Sequence, residues 1–160
     1  MGSWIEQIRA YLGEQGALDA SLSAFAQGFP TFAAHGGITV AILMVGLLVH
    51  NAVTPYKELK LVRENNAAAG LLLGGSIVSL AVPLSFAMAS SLNWADILIW
   101  GVLTVIVQLI ALRFVDFLLP DAPRRIQNGE IAAASVLVGM KLAFGFVLAA
   151  AVAGAPLARL

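Results

Sequence analysis

The chain has 160 residues, 60% of them hydrophobic and only 11% charged, with nine basic and nine acidic side chains and no cysteine. A soluble domain carries about 25% charged residues, so this composition excludes a water-soluble fold and points to one that spans a bilayer. Balanced charge leaves no basic excess for nucleic acid, and the lack of cysteine excludes disulfides, thiol catalysis and Cys-ligated metals.

The chain opens with SWIEQIRAYLGEQ (3–15), which sets Trp4, Ile5, Ile8, Tyr11 and Leu12 on one helical stripe. That stripe predicts a short amphipathic helix lying on the outer membrane surface. Glu6, Arg9 and Glu14 argue against a cleavable signal, which needs a basic start followed at once by an apolar core. The first span is then expected to act as an uncleaved insertion signal. Pro30 is expected to break or kink the chain, separating an interfacial segment (1–30) from a transmembrane domain (31–154).

A hydrocarbon core about 30 Å thick needs roughly 20 apolar helical residues. Four stretches meet that requirement: 31–53, 67–89, 96–119 and 131–154. Helices satisfy their own backbone polar groups, so the expected fold is an all-α bundle of four transmembrane helices. Between the first two spans lies TPYKELKLVRENNAAAG (54–70), with Lys57, Lys60 and Arg63; Arg113, Arg124 and Arg125 gather around the end of the third. The other face carries only Arg9 and Arg159. Under the positive-inside rule both charged loops face the cytoplasm and both termini face out. Trp4, Trp94 and Trp100 then fall at the outer interface.

The two charged loops resemble each other. Pro55, a basic stretch and ENNAAA in one match Pro120, a basic stretch and NGEIAAA in the other, offset by 64 or 65 residues. This predicts two parallel copies of a helical hairpin, 31–89 and 96–154, related by an axis along the membrane normal. Packing in lipid favours small residues at contacts, which nominates Gly70/Gly74, Gly75/Ser79 and Ser135/Gly139/Ala143. Pro83 is expected to kink the second span.

Lys141 lies 11 residues past Glu130, hence about 16 Å deep, and Gln108 lies 12 before Pro120, about 18 Å deep. Ser76 and Ser79 fall at similar depth. Together these four form a candidate polar layer in the membrane, with no carboxylate expected beside it. The layer can serve transport; alternatively, Lys141 bonds Gln108 or a carbonyl, or snorkels outward. Arg113 and Asp116 are expected to pair locally and anchor span three at the headgroups, a gating pair being the sharper alternative. His35 and His50 are 15 residues apart, about 22 Å, so they cannot share a metal; His50 is expected at the interface. No nucleophile stands at workable spacing from a base, so no catalytic, metal or cofactor site is expected.

Thr54, Pro55, Glu58, Asn66, the alanines at 67–69, Pro83 and Leu84 make a pattern, continued by Trp100, Gly101, Gln108, Ala132 and Ala133. This pattern resembles the YjfL family of small bacterial inner-membrane proteins, a family of unknown function. The resemblance covers about residues 18–155. Residues 1–17 stand outside it, and Lys141 departs from the small or apolar residue expected there. It implies an inner-membrane location and a role in membrane maintenance, and it raises the weight of Gln108, Asn66 and Glu58. The expectation is a non-enzymatic, homo-oligomeric component acting in membrane stress or docking. Its partners would be the lipid bilayer, further copies and a cytoplasmic protein held by Lys57, Lys60, Arg63, Arg124 and Arg125. Glu58 and Asn66 are candidates to cap helix starts. The rival is a small channel or carrier built on Gln108 and Lys141.

Overall fold

The computed structural model describes residues 3–54 and 57–154. Pro55 and Arg159, and the side chain of Arg9, lie outside the described residues. Among the described residues six helices follow in order: α1 (Ser3–Val53), α2 (Glu58–Arg63), α3 (Ala67–Ser90), α4 (Trp94–Leu118), α5 (Ala122–Gln127) and α6 (Ile131–Gly154). Four of them, α1, α3, α4 and α6, are long and apolar enough to cross a membrane. The protein is an all-α membrane protein.

Side-chain caps set two of the starts. The Asn66 side chain accepts from the Ala69 N–H at 2.9 Å and opens α3. Asn93 accepts from the N–H groups of Ala95 and Asp96, while Asp96 accepts from Leu92 N–H. This reciprocal cap starts α4 two residues before the expected Asp96. Pro30 does not end a helix. It lies within α1, because a proline removes one hydrogen bond from a long ladder that the flanking turns carry past it.

The short helices α2 and α5 sit in the two charged loops, and both are six residues long. Each is stopped by a left-handed residue, Asn65 (φ 60°) and Gly129 (φ 80°). Each closes with the same six-to-one bond, Asn66 N–H to Leu61 O and Glu130 N–H to Arg125 O, both 3.0 Å. Glycine adopts that φ freely and asparagine tolerates it. All of these features recur at one offset of 64 residues.

The chain divides into two compact units, Met1–Gly36 and Gly37–Leu160. In the first, described side chains are exposed through Ala34. In the second, register pairs give the directions. Gly75 faces Val138, Ser76 meets Lys141 and Ser79 meets Gly145, so α3 and α6 run parallel. Gly101 faces Leu84 and Gln108 meets Ser79, so α4 runs against them. Ile42 faces Gly101, Gly46 faces Val105 and Thr54 meets Arg113, so residues 37–53 of α1 run parallel to α4.

Two apolar clusters fill this unit. One, near α2 and α5, gathers Ala69, Leu72, Val115, Ile126, Ala134 and Leu137. The other, further along the spans, holds Ile42, Leu80, Leu84, Ile97, Val105 and Leu112. The backbones of α3 and α6 come close at Gly145, where a Cβ would stand 2.9 Å from the carbonyl oxygen of Ser79. A Cβ on Gly75 would meet Val138 at 2.5 Å. The other expected small-residue contacts are not made. Cβ atoms on Gly70, Gly74 or Gly139 would meet nothing within 4 Å, and Ser135 and Ala143 are exposed. The face α6 buries is the row Ala134, Leu137, Lys141, Gly145 and Ala149, rotated away from the Ser135/Gly139/Ala143 row.

Candidate functional site

Lys141 occupies the buried row of α6 and is 0% exposed. The Cα–Cβ bond of a helical residue tilts toward the helix N-terminus, so its stem is directed toward the α5 end of the bundle. There Nζ lies 3.1 Å from Oδ1 of Asp116, a charge contact outside hydrogen-bond angles, and 3.4 Å from Oγ of Ser76. The expectation that no carboxylate stands beside Lys141 is therefore wrong. Depth counted along Cα atoms ignores the roughly 6 Å that a lysine stem adds.

Asp116 links onward. Its Oδ2 is 3.6 Å from Nη1 of Arg113, and Nη2 of Arg113 donates to Oγ1 of Thr54 at 3.0 Å. The Thr54 hydroxyl donates to the carbonyl of His50 at 2.7 Å. The Arg113–Asp116 pair is thus part of an internal network and not only a headgroup anchor. His50, expected at the interface, is 1% exposed with Nε2 3.8 Å from Oε2 of Glu58, itself fully buried. Among the described residues Glu58 caps nothing, and both of its oxygens lack a hydrogen-bond partner. On the opposite flank Gln108 Nε2 donates to Ser79 Oγ at 2.6 Å, and Ser79 donates to the Lys141 carbonyl at 2.8 Å.

The structure therefore brings Ser76, Ser79, Gln108 and Lys141 together and adds Asp116, Arg113, Thr54, His50 and Glu58. Arg113 and Lys141 offset Glu58 and Asp116, so the group sums to zero charge when His50 is neutral. Several of its polar atoms are buried without a hydrogen-bond partner among the described residues: both nitrogens of His50, both oxygens of Glu58, Oε1 of Gln108 and Nε of Arg113. Burying charges without full hydrogen bonding costs several kcal/mol per ion. Beyond Gln108 the bundle is closed by the apolar cluster of Ile42, Leu80, Leu84 and Ile97.

Other residues singled out in the sequence lie apart from this network. Pro83 is buried within α3, and Trp100 is half-buried. Gly101 admits Ile42 and Leu84 to within about 3 Å of where its Cβ would stand. Asn66, besides capping α3, donates to the carbonyls of Ile126 (2.8 Å) and Gln127 (3.2 Å), tying the first loop to α5. Lys57, Lys60, Arg63, Arg124 and Arg125 are exposed. Two of them pair with acids, Lys60 with Glu64 at 3.7 Å and Arg125 with Glu130 at 2.7 Å.

Residues 24–152 match the family described as Domain of Unknown Function (DUF350). The chain is 30% identical over 119 residues to the UPF0719 inner membrane protein YjfL of Escherichia coli (strain K12), spanning 74% of this chain and 90% of that one. It is 25% identical over 122 residues to the UPF0719 transmembrane protein YshE of Bacillus subtilis (strain 168), spanning 75% and 91%. No solved structure matches.

Proposed function

As the chain belongs to the DUF350 family, whose description assigns no activity, we propose its function from the buried network: a small, non-enzymatic carrier that takes protons into the bundle from the α2–α5 side. Its setting is the bacterial inner membrane, the location in the name of the Escherichia coli relative, with the α2 and α5 loops facing the cytoplasm. The observation that carries this is Glu58, a fully buried carboxylate beside His50 with no hydrogen bond to either oxygen among the described residues. Ionisable groups inside a membrane bundle are costly and mark ion paths or proton relays. A metal cation entering here would meet Lys141 and Arg113, and an anion would meet Glu58 and Asp116. A proton needs no cavity and adds to His50 beside a waiting counter-charge. The apolar cluster beyond Gln108 favours a carrier that opens alternately over a standing pore.

Proteoliposomes loaded with a pH-sensitive dye test this. Wild-type vesicles should dissipate an imposed pH gradient faster than protein-free ones, and Gln108→Leu should lose the difference. Wild-type vesicles as tight as empty ones contradict it.

A second reading, docking of a cytoplasmic protein by a homo-oligomer, is favoured by one observation. The Asn66 bonds to α5 join both loops into one surface, on which Lys57, Lys60, Arg63, Arg124 and Arg125 stand exposed. Charge reversal at Lys57, Lys60 and Arg63 should then abolish partner recruitment without changing vesicle tightness.

A further inference from the structure

The N-terminal unit carries a surface that the buried network does not use. Between residues 3 and 34 of α1 the large apolar side chains fall at positions 4, 8, 11, 18, 22, 25, 29 and 32, with Ile5 and Leu12 beside them. They are spaced alternately by four and three residues, and Gln15 occupies the one remaining place in the series. This is a heptad seam of about four repeats with one polar position, the pattern of a left-handed coiled coil. Most positions outside it are small or polar, with Ala10, Ala17, Ala20 and Ala24 on the opposite face and Pro30 off the seam. The seam is exposed: Leu18 is 56% accessible, Leu22 65% and Phe25 64%. Phe25, Phe29 and Phe32 extend it as a ridge, with successive ring centroids 5.3 and 6.3 Å apart.

We propose that this seam is a homo-oligomerisation surface, covered by the same seam of a second copy in a parallel coiled coil. Two features favour a second copy over a lipid surface. First, the segment is acidic, with Glu6, Glu14 and Asp19 against Arg9, whereas helices that lie on anionic bilayers are rich in Lys and Arg. Second, the apolar series repeats every 3.5 residues with a single polar Gln15, and such a residue in a seam sets register between helices. Lipid imposes no register and selects no such period. All copies enter the membrane through the same downstream residues, so their seams run in the same direction. The proposal does not depend on proton movement.

The absence of cysteine makes the test direct. Single variants Leu18→Cys and Leu22→Cys on the seam, and Ala20→Cys and Ala24→Cys off it, are oxidised in native membranes with the full chain. A disulfide needs Cα atoms within about 7 Å, so seam positions should give roughly tenfold more covalent dimer than the others. Equal yields at all four positions, or higher yields at 20 and 24, overturn the proposal. So does quenching of a fluorophore at position 18 by brominated lipid, which places the seam in the bilayer. Independently, the Leu18→Asp/Leu22→Asp variant should have the mass of a single chain by light scattering in detergent, where the wild type is larger. An unchanged mass refutes it.

Discussion

Breaking the Asp116–Lys141 pair from one side is expected to cost far more than removing it from both. In the Asp116→Leu variant, Nζ of Lys141 keeps only the Ser76 hydroxyl at 3.4 Å, at a site with no exposure. One-sided loss of a buried ion pair costs about 3–5 kcal/mol, and this variant should fall in the upper part of that range. Lys141→Met should fall near the lower end, about 3 kcal/mol, because Arg113 remains 3.6 Å from Asp116. In the double variant no charge of the pair is left stranded, and Arg113 retains Thr54 and a one-third exposed side chain. Its stability should return to within about 1 kcal/mol of the wild type or exceed it. SDS-induced unfolding in mixed micelles, followed by circular dichroism, measures all four proteins. The cycle should give a coupling of several kcal/mol; a double variant whose cost equals the sum of the singles refutes the contact.

Other outcomes follow from the same geometry. Gly145→Ala places a Cβ 2.9 Å from the Ser79 carbonyl oxygen and should lower stability by about 1–3 kcal/mol, whereas Gly74→Ala, which meets nothing, should be neutral or slightly stabilising in the same unfolding assay. Asn66→Ala removes the α3 cap and both bonds to α5 and should cost about 2 kcal/mol; Asn66→Asp keeps the acceptor, loses the donor and should fall between. Glu58→Gln removes a buried charge that has no hydrogen bond, so thermal melting should occur at or above the wild-type temperature while vesicle proton uptake is lost. A lower melting temperature would make Glu58 a structural residue.

Much of the fold was legible because lipid demands it. Runs of 20 or more apolar residues separated by compact charged loops admit few alternatives to helical spans, and the spans at 67–89 and 131–154 differ from α3 and α6 by at most one residue. The similarity of the two loops was legible too, and Asn65 with Gly129 supplies its physical basis in a shared left-handed stop. The short helices α2 and α5 escaped notice because six residues carry no readable period. A break at Pro30 does not occur because the long helix around it carries the chain through one lost hydrogen bond.

The site was half legible. Ser76, Ser79, Gln108 and Lys141 could be grouped by depth, since each lies on a span whose ends were known. Asp116 and His50 could not, because their partners depend on helix rotation and side-chain reach. The spacing that mattered for Asp116 was its place one turn past Leu112 and two past Gln108, both buried on α4. That for His50 was one helical turn before Thr54, the residue that Arg113 bonds.

The central claim is that the charges buried in this bundle serve proton movement. The most direct measurement is dissipation of a pH gradient by proteoliposomes holding the Asp116→Leu/Lys141→Met protein, which is expected to fold as stably as the wild type. Vesicles as tight as protein-free ones are expected beside a leaking wild type. Equal leak rates from the two proteins contradict it.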